Sequence, residues 1–481
     1  MSRLVIGPFN RVEGDLEVTL DVDAGHVRAA RVMAPLYRGF EQILVGRQPL
    51  DALVIAPRIC GICSVSQSVA AATVLRALDG AAAAPNGFLA TNIAHAAENI
   101  ADHLTHFYVF FMPDFARREY AGRPWFEAAV RRFKAGAGSA AGVALPARAK
   151  LLEVMGILAG KWPHSLAFQP GGTTRAIDLA ERIRLVAIVA EFRAFLEEHL
   201  FAAPLEHLLA IDDRDDLESF IDGEGQGGDF AAFLAIARDL DLARLGRGPG
   251  PLMSFGAYHD ADGALFRSGL YCDGKRSPLP ADAIREDVAR AWLRETSADP
   301  ALAETIPDAL KEEAYSWAKA PRLDGRAVEV GAVARQAVDA HPLVSDLLRA
   351  DGGTNVRNRV IARLLEIALL TEQMGRWTRN LRVKEPFCTH GAAAAEGRAF
   401  GLVEAARGSL GHWMTVRDGK IAQYQIIAPT TWNFSPRDAA GTPGPLEGAL
   451  EGVAVGAWGA KAAAIQHVVR SFDPCMVCTA H

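Results

Sequence analysis

Two cysteine pairs stand near opposite ends of a 481-residue chain. Cys60 and Cys63 lie in Arg58-Ile59-Cys60-Gly61-Ile62-Cys63-Ser64. Cys475 and Cys478 lie in Asp473-Pro474-Cys475-Met476-Val477-Cys478-Thr479-Ala480-His481. Two intervening residues let both sulfurs of a pair converge on one ion at the start of a helix, and Gly61 permits the turn. The unpaired N–H groups of a helix N-terminus also favour thiolates. Four thiolates suit a soft or borderline metal. A structural zinc with four cysteine ligands is the plain alternative. Against zinc stand the separation of the pairs by most of the chain, the position of one pair at the very end, and the charged residues Arg58, Asp473 and His481 around them.

The bulk properties narrow the setting. A net charge of −6 gives no basic footprint for nucleic acid. Half of the residues are hydrophobic, enough for a large core. No apolar run reaches the ~18 residues of a membrane-spanning helix, so no direct membrane insertion is expected. The first residues carry no signal-peptide pattern, so a cytoplasmic location is expected, with export on a partner's signal as the alternative. A cytosolic chain of this size needs no disulfides, so paired cysteines point to metal or redox chemistry. Cys272 and Cys388 stand apart and read as ordinary thiols.

The elements that must carry these loops are read from periodicity. Residues 4–34 alternate apolar and polar residues and predict two or three strands. From Asp51 the pattern turns helical, with Ala-rich runs over Ser66–Leu78 and a long helix over Phe88–Phe115. Further helices are predicted over Ile177–Phe201, with an apolar stripe of Ile177, Ala180, Ile183, Ala187, Ala190 and Ala194, over Asn358–Leu381, and over Gly444–Val469. Residues 203–350 read as irregular with short helical patches. Residues 400–430 read as a hairpin around Arg417-Asp418-Gly419-Lys420. The expected class is α+β, predominantly α, with a large helical core, long central helices and small peripheral β-sheets. No linker is evident, so residues 1–481 are taken as one domain, mainly β over 1–50 and mainly helical over 51–481.

Seven motifs, in order, resemble those of nickel–iron hydrogenase large subunits. They are Arg11-Val12-Glu13-Gly14, Arg38-Gly39-Phe40-Glu41, Asp102-His103-Leu104-Thr105-His106-Phe107-Tyr108, Pro170-Gly171-Gly172, Arg407-Gly408 with Gly411-His412-Trp413, Pro429-Thr430-Thr431-Trp432-Asn433, and the terminal Asp473-Pro474-Cys475 to His481. One chance match is credible; seven in order are not.

The resemblance implies a centre in which Cys60 and Cys475 are terminal nickel ligands and Cys63 and Cys478 bridge nickel and iron, the iron bearing carbon monoxide and cyanide. It implies reversible heterolytic cleavage of dihydrogen. A Lewis acid must polarise that very weak acid while a base stands within reach, and the Cys475 thiolate is the natural first proton acceptor. Glu13 is implied as the next proton carrier, although by itself it reads as a strand glutamate paired with Arg11. Arg407 is implied to face the metals, held by Asp102 and Asp473, because a fixed cation offsets the anionic ligands. Glu41, His481 and the Ile427 carbonyl are implied as ligands of a structural magnesium. His103, His106 and His412 read as buried hydrogen-bonding residues.

Departures from the family pattern point to its regulatory, hydrogen-sensing subgroup. Gln67 stands where most members have histidine; it can donate a hydrogen bond to a bridging sulfur but cannot titrate near neutrality. Asp15 replaces a histidine and Ala406 a proline. Ile62 and Phe110 fall at positions that line the neck of the gas channel in the family, where bulk would hinder dioxygen more than dihydrogen; core packing is the alternative. The chain also stops at His481, as sensor subunits do and as a catalytic subunit does once its C-terminal extension has been removed. The resemblance thus implies a sensor with an iron–sulfur small subunit as electron partner and a histidine kinase as signalling partner. An energy-linked uptake enzyme and a non-catalytic scaffold with zinc are the competing readings.

Overall fold

The computed structural model describes residues 2–260, 263–391, 394–455 and 462–481. An antiparallel sheet opens the chain: β1 (Ser2–Ile6), β2 (Glu17–Asp23) and β3 (His26–Met33). Val18, Leu20 and Val22 turn inward on alternate positions of β2, as a half-buried strand requires.

The helical body follows. Helix α1 (Ser64–Asp79) begins directly after Cys63 and stops at Gly80, whose positive φ of 66° closes the last turn. Helix α2 (Pro85–Thr105) starts on proline, whose missing N–H costs nothing there. It continues through a π-helical segment, His106–Phe111, and a 3-10 turn, Met112–Ala116. Helix α3 spans Leu179–Phe195. A second sheet is built from β4 (Leu252–Asp260), β5 (Gly263–Cys272) and β6 (Lys275–Ser277). Helix α4 (Val356–Asn380) is capped by the Asn355 side chain and packs along α2 through the centre of the molecule. No described helix is long and apolar enough to cross a membrane.

Strands β7 (Gly397–Ala405), β8 (Gly408–Arg417) and β9 (Lys420–Ile427) form a third sheet. The β8–β9 turn has positive φ at both Asp418 and Gly419, the backbone twist that two-residue hairpins favour. Helix α1 lies on this sheet so closely that a Cβ on Gly401 would stand 2.5 Å from the Ala70 carbonyl oxygen. The chain ends with α5 (Pro445–Leu450), α6 (Ala463–Ser471) and the single turn α7 (Met476–Thr479).

Three expectations need correction. Apart from Ile177, which precedes the helix and is buried, the stripe chosen for α3 faces outward: Ala180, Ile183, Ala187, Ala190 and Ala194 are exposed, while Leu185, Ile188, Val189, Phe192 and Phe195 are buried. The larger side chains remove more apolar area from water, and the alanine stripe loses. Residues 203–350 contain the second sheet; β4 is buried on both faces along most of its length, so it shows no alternation. The single helix expected over Gly444–Val469 is two short ones. The chain leaves α5 at Leu450, and Ala454 bridges to His26; residues 456–461 of that expectation lie outside the described residues.

One buried hub ties the chain's ends together. Asp114, fully buried, accepts hydrogen bonds from Arg470 at 2.8 and 2.9 Å and is paired with Arg11, Arg117 and His467. Burial alone would raise its pKa; His467, Arg470 and Arg11 overcome burial and hold it well below the usual carboxylate range. Removing one partner from such a cluster leaves uncompensated buried charge, so Asp114→Ala is expected to cost about 3–5 kcal/mol at pH 7. The native group stabilises as the carboxylate. The deficit should therefore shrink as pH falls below the ~3.9 of an unfolded aspartate, which denaturant midpoints at pH 7 and pH 3.5 would read.

Candidate metal centre

The two ends of the chain close on each other so that four sulfurs meet in the interior. Cys60 Sγ lies 3.6 Å from Cys475 Sγ, Cys63 Sγ lies 3.1 Å from Cys478 Sγ, and Cys475 and Cys478 are 3.3 Å apart. All four atoms fall within 4.8 Å of one another, and all four residues are buried. The 3-10 turn Ala56–Ile59 delivers Cys60 in an extended conformation, and Cys63 caps α1. The Ile62 amide donates to Cys60 Sγ at 3.3 Å. Cys475 caps α7, and its own amide donates to Thr430 Oγ1 at 3.2 Å. Arg38 fastens the two loops together by donating to the carbonyls of Ile59 and Val477.

Crowding the sulfurs changes their acidity. Hydrogen bonds from Cys475, Cys478 and Cys63 drive Cys60 well below an ordinary thiol, while their neighbours drive Cys63 and Cys478 well above it. Removing the protons from all four sulfurs calls for a cation among them.

Glu13 is clamped beside the second pair by its backbone. Its amide donates to the Pro474 carbonyl at 3.3 Å, and its carbonyl accepts from Met476 N at 2.8 Å. Gly14 allows this approach: its φ is +78°, and a Cβ there would stand 3.1 Å from Met476 Cβ. Burial, then the Cys60 charge, raise the Glu13 pKa, against the pull of Arg407. Arg11, the partner that sequence alone offered, instead binds Asp114 and donates to the Phe110 carbonyl.

Arg407 is held within the chain through all three of its nitrogens. Its Nε donates to the Asp473 carbonyl at 2.8 Å, Nη1 and Nη2 grip both Asp102 oxygens, and Nη2 also reaches Asp473 Oδ1 at 3.2 Å. These four bonds leave one of the five guanidinium N–H groups, on Nη1, to spare. Burial would lower its pKa, but Asp102, Asp473, Cys475 and Cys63 together raise it well above normal. Asp473 holds a positive φ of 59°, which turns its carbonyl toward the arginine.

Glu41 and His481 also meet: His481 Nε2 is 3.4 Å from Glu41 Oε1. Ile426 N donates to Glu41 at 2.9 Å, while Ile427, the next residue, pairs with Gly411 at the end of β9. The cluster brings its own cation. Lys319 Nζ is 3.1 Å from both Glu41 oxygens and 3.4 Å from Glu286. Lys319 balances only one of the two carboxylates, and Glu286 Oε1 is buried without a partner among the described residues, so the cluster still calls for a further cation, and Glu41 and His481 are the residues that would hold it.

Gln67 accepts from or donates to no sulfur. Its Oε1 lies 2.8 Å from His412 Nε2, and its Nε2 is buried without a partner among the described residues. Ile62 is half-buried against the core that contains the cysteines. Phe110 is half-buried in the π-helical segment of α2.

A family model described as nickel-dependent hydrogenase matches residues 38–118 and 143–481. This chain belongs to that family. The hydrogenase is 28% identical to the periplasmic [NiFeSe] hydrogenase large subunit of Desulfomicrobium baculatum, covering all of this chain and 95% of that one. It is 26% identical to the quinone-reactive Ni/Fe-hydrogenase large chain of Wolinella succinogenes, covering all of this chain and 96% of that one. Its fold superposes on the Ni-Fe-Se hydrogenase from D. vulgaris Hildenborough with a TM-score of 0.83 and 28% identity over the whole of both chains. The α+β architecture with small peripheral sheets is therefore that of a hydrogenase large subunit. Four soft sulfur donors fit the nickel chemistry of the family, and the orphaned Gln67 nitrogen leaves a donor for a group other than this chain's own.

Sequence reasoning missed three residues here. Arg38 was visible as part of a motif, but its role as a staple was not. Glu98 receives the amides of Val65 and Ser66 at the start of α1, together with Trp162 Nε1. Nothing near Glu98 or Lys319 in the sequence marked either.

Proposed function

We propose that this hydrogenase is an active-site subunit that splits dihydrogen heterolytically and passes the electrons to an iron–sulfur small subunit. The observation that carries the reading is the meeting of four buried sulfurs beside Arg407 and Glu13. When bound by Cys60, Cys63, Cys475 and Cys478, a nickel–iron pair with carbon monoxide and cyanide on iron supplies the Lewis acidity that polarises dihydrogen. Cys475 takes the first proton and Glu13, anchored to the same loop, takes it next. Arg407 keeps a fixed positive charge at the site without spending a proton. Among the described residues, no second metal-ligating cluster is present, so the electrons need a partner to leave. Glu41, His481 and the Ile427 carbonyl would hold a structural magnesium that takes no part in the reaction.

Energy-linked uptake is the physiological setting that the relatives support best. Beside the periplasmic and quinone-reactive proteins, an uptake hydrogenase large subunit of Afipia carboxidovorans is 26% identical over all of this chain. We keep the cytoplasmic location expected from the sequence, with export on a partner's signal as the alternative that a periplasmic relative suggests. Hydrogen sensing, with a histidine kinase as further partner, is favoured by Gln67, Ile62 and Phe110 alone. Metal analysis of the purified complex tests the chemistry: nickel and iron with hydrogen-dependent dye reduction are expected, and zinc alone would sink the reading. Turnover separates the settings, since fast dye reduction belongs to uptake and slow turnover coupled to kinase activity belongs to sensing.

A further inference from the structure

Three buried polar side chains form a line from the third sheet to helix α1. Tyr424 on β9 places its hydroxyl 2.8 Å from His412 Nδ1, and His412 on β8 places Nε2 2.8 Å from Gln67 Oε1. His412 is fully buried, and Gln67 and Tyr424 are each 1% exposed. Gln67 sits one turn after Cys63, its amide donating to the Cys63 carbonyl at 3.1 Å. Its carboxamide nitrogen is the unpartnered end of the line.

The direction of this line has two possible settings. Burial lowers the His412 pKa to about 3, so the ring is neutral, with one donor nitrogen and one acceptor. Burial also raises the Tyr424 pKa, which keeps its proton available to donate. If Tyr424 donates to Nδ1, then Nε2–H donates to Gln67 Oε1 and the glutamine's NH2 is left over. If Nδ1–H donates to the tyrosine oxygen, Nε2 must accept from the glutamine, and a carbonyl oxygen is left over. Cysteines that hold a metal do so as thiolates, so beside them an oxygen is repelled and an NH2 is attracted.

We propose that Tyr424 and His412 are positioning residues that lock the Gln67 carboxamide with its NH2 free to donate to the electron-rich group held by the cysteines. The inference rests on the metal-centre reading above. A hydrogen bond donated to a sulfur withdraws electron density from it, one of the ways a protein tunes a thiolate-held metal.

The test uses the purified heterodimer and reads the infrared stretching bands of the diatomic ligands on iron, with nickel content as the folding control. Gln67→Leu and Tyr424→Phe are each expected to shift the bands in the same direction. Tyr424→Phe placed on top of Gln67→Leu is expected to add nothing, because the tyrosine acts only through the glutamine. Should Tyr424→Phe lose nickel, His412→Leu is read in the same way. Unmoved bands in Tyr424→Phe, or an equal shift in both backgrounds, would overturn the inference. Absence of the bands from the wild-type protein would instead overturn the metal-centre reading, and this inference with it.

Discussion

Glu13→Gln is expected to slow hydrogen-dependent dye reduction by ~10²–10⁴-fold, the usual worth of a positioned proton carrier, while nickel content stays at the wild-type level. The substitution keeps the shape and the backbone clamp to Pro474 and Met476 but removes the titrating proton. Burial and the Cys60 charge raise the pKa of this carboxyl above the ordinary 4.5. In dihydrogen oxidation the ionised form must accept the proton. The wild-type rate should therefore climb as pH rises through a value above 4.5, and that limb should vanish from the variant. Dihydrogen–deuterium exchange measured beside dye reduction locates the loss at proton transfer. A variant that turns over at the wild-type rate would remove Glu13 from the mechanism.

Arg407→Lys is the second large effect, an expected fall of ~10²–10³-fold in kcat under saturating dihydrogen. Lysine keeps the charge but not the planar fork that holds both Asp102 oxygens and the Asp473 carboxylate together. A point charge on a flexible stem leaves part of those two buried carboxylates unsatisfied. Nickel content and thermal midpoint, measured on the same preparation, separate a catalytic loss from a folding loss. A kcat within a few-fold of wild type, with metal retained, would show that charge alone suffices at this position.

How much of this was legible beforehand differs by residue. The cysteines were legible because ligand chemistry restricts the residue type and the local turn restricts the spacing. The β8–β9 hairpin was legible because two residues with positive φ need Asp-Gly or its like. The face of α3 was not, since alanine and isoleucine recur at helical spacing on one side while the bulkier side chains that decide burial lie on another. The alternative pairing of Glu13 with Arg11, offered by proximity in sequence, does not form: Arg11 stands two residues away yet turns to Asp114, over a hundred positions along the chain.

By itself, then, the sequence determined the donor atoms, the motif order and the helices long enough to impose their own period, because those depend on residue type and short-range geometry. Only the tertiary structure decided that Lys319 faces Glu41, that Arg38 joins the two cysteine loops, and that Tyr424, His412 and Gln67 stand in line. Each of these brings together groups more than a hundred residues apart or, for Arg38 and the line, different elements of the fold. No local pattern encodes such contacts, because the energy that selects them comes from burying charge and polar groups with partners that the folded chain alone supplies.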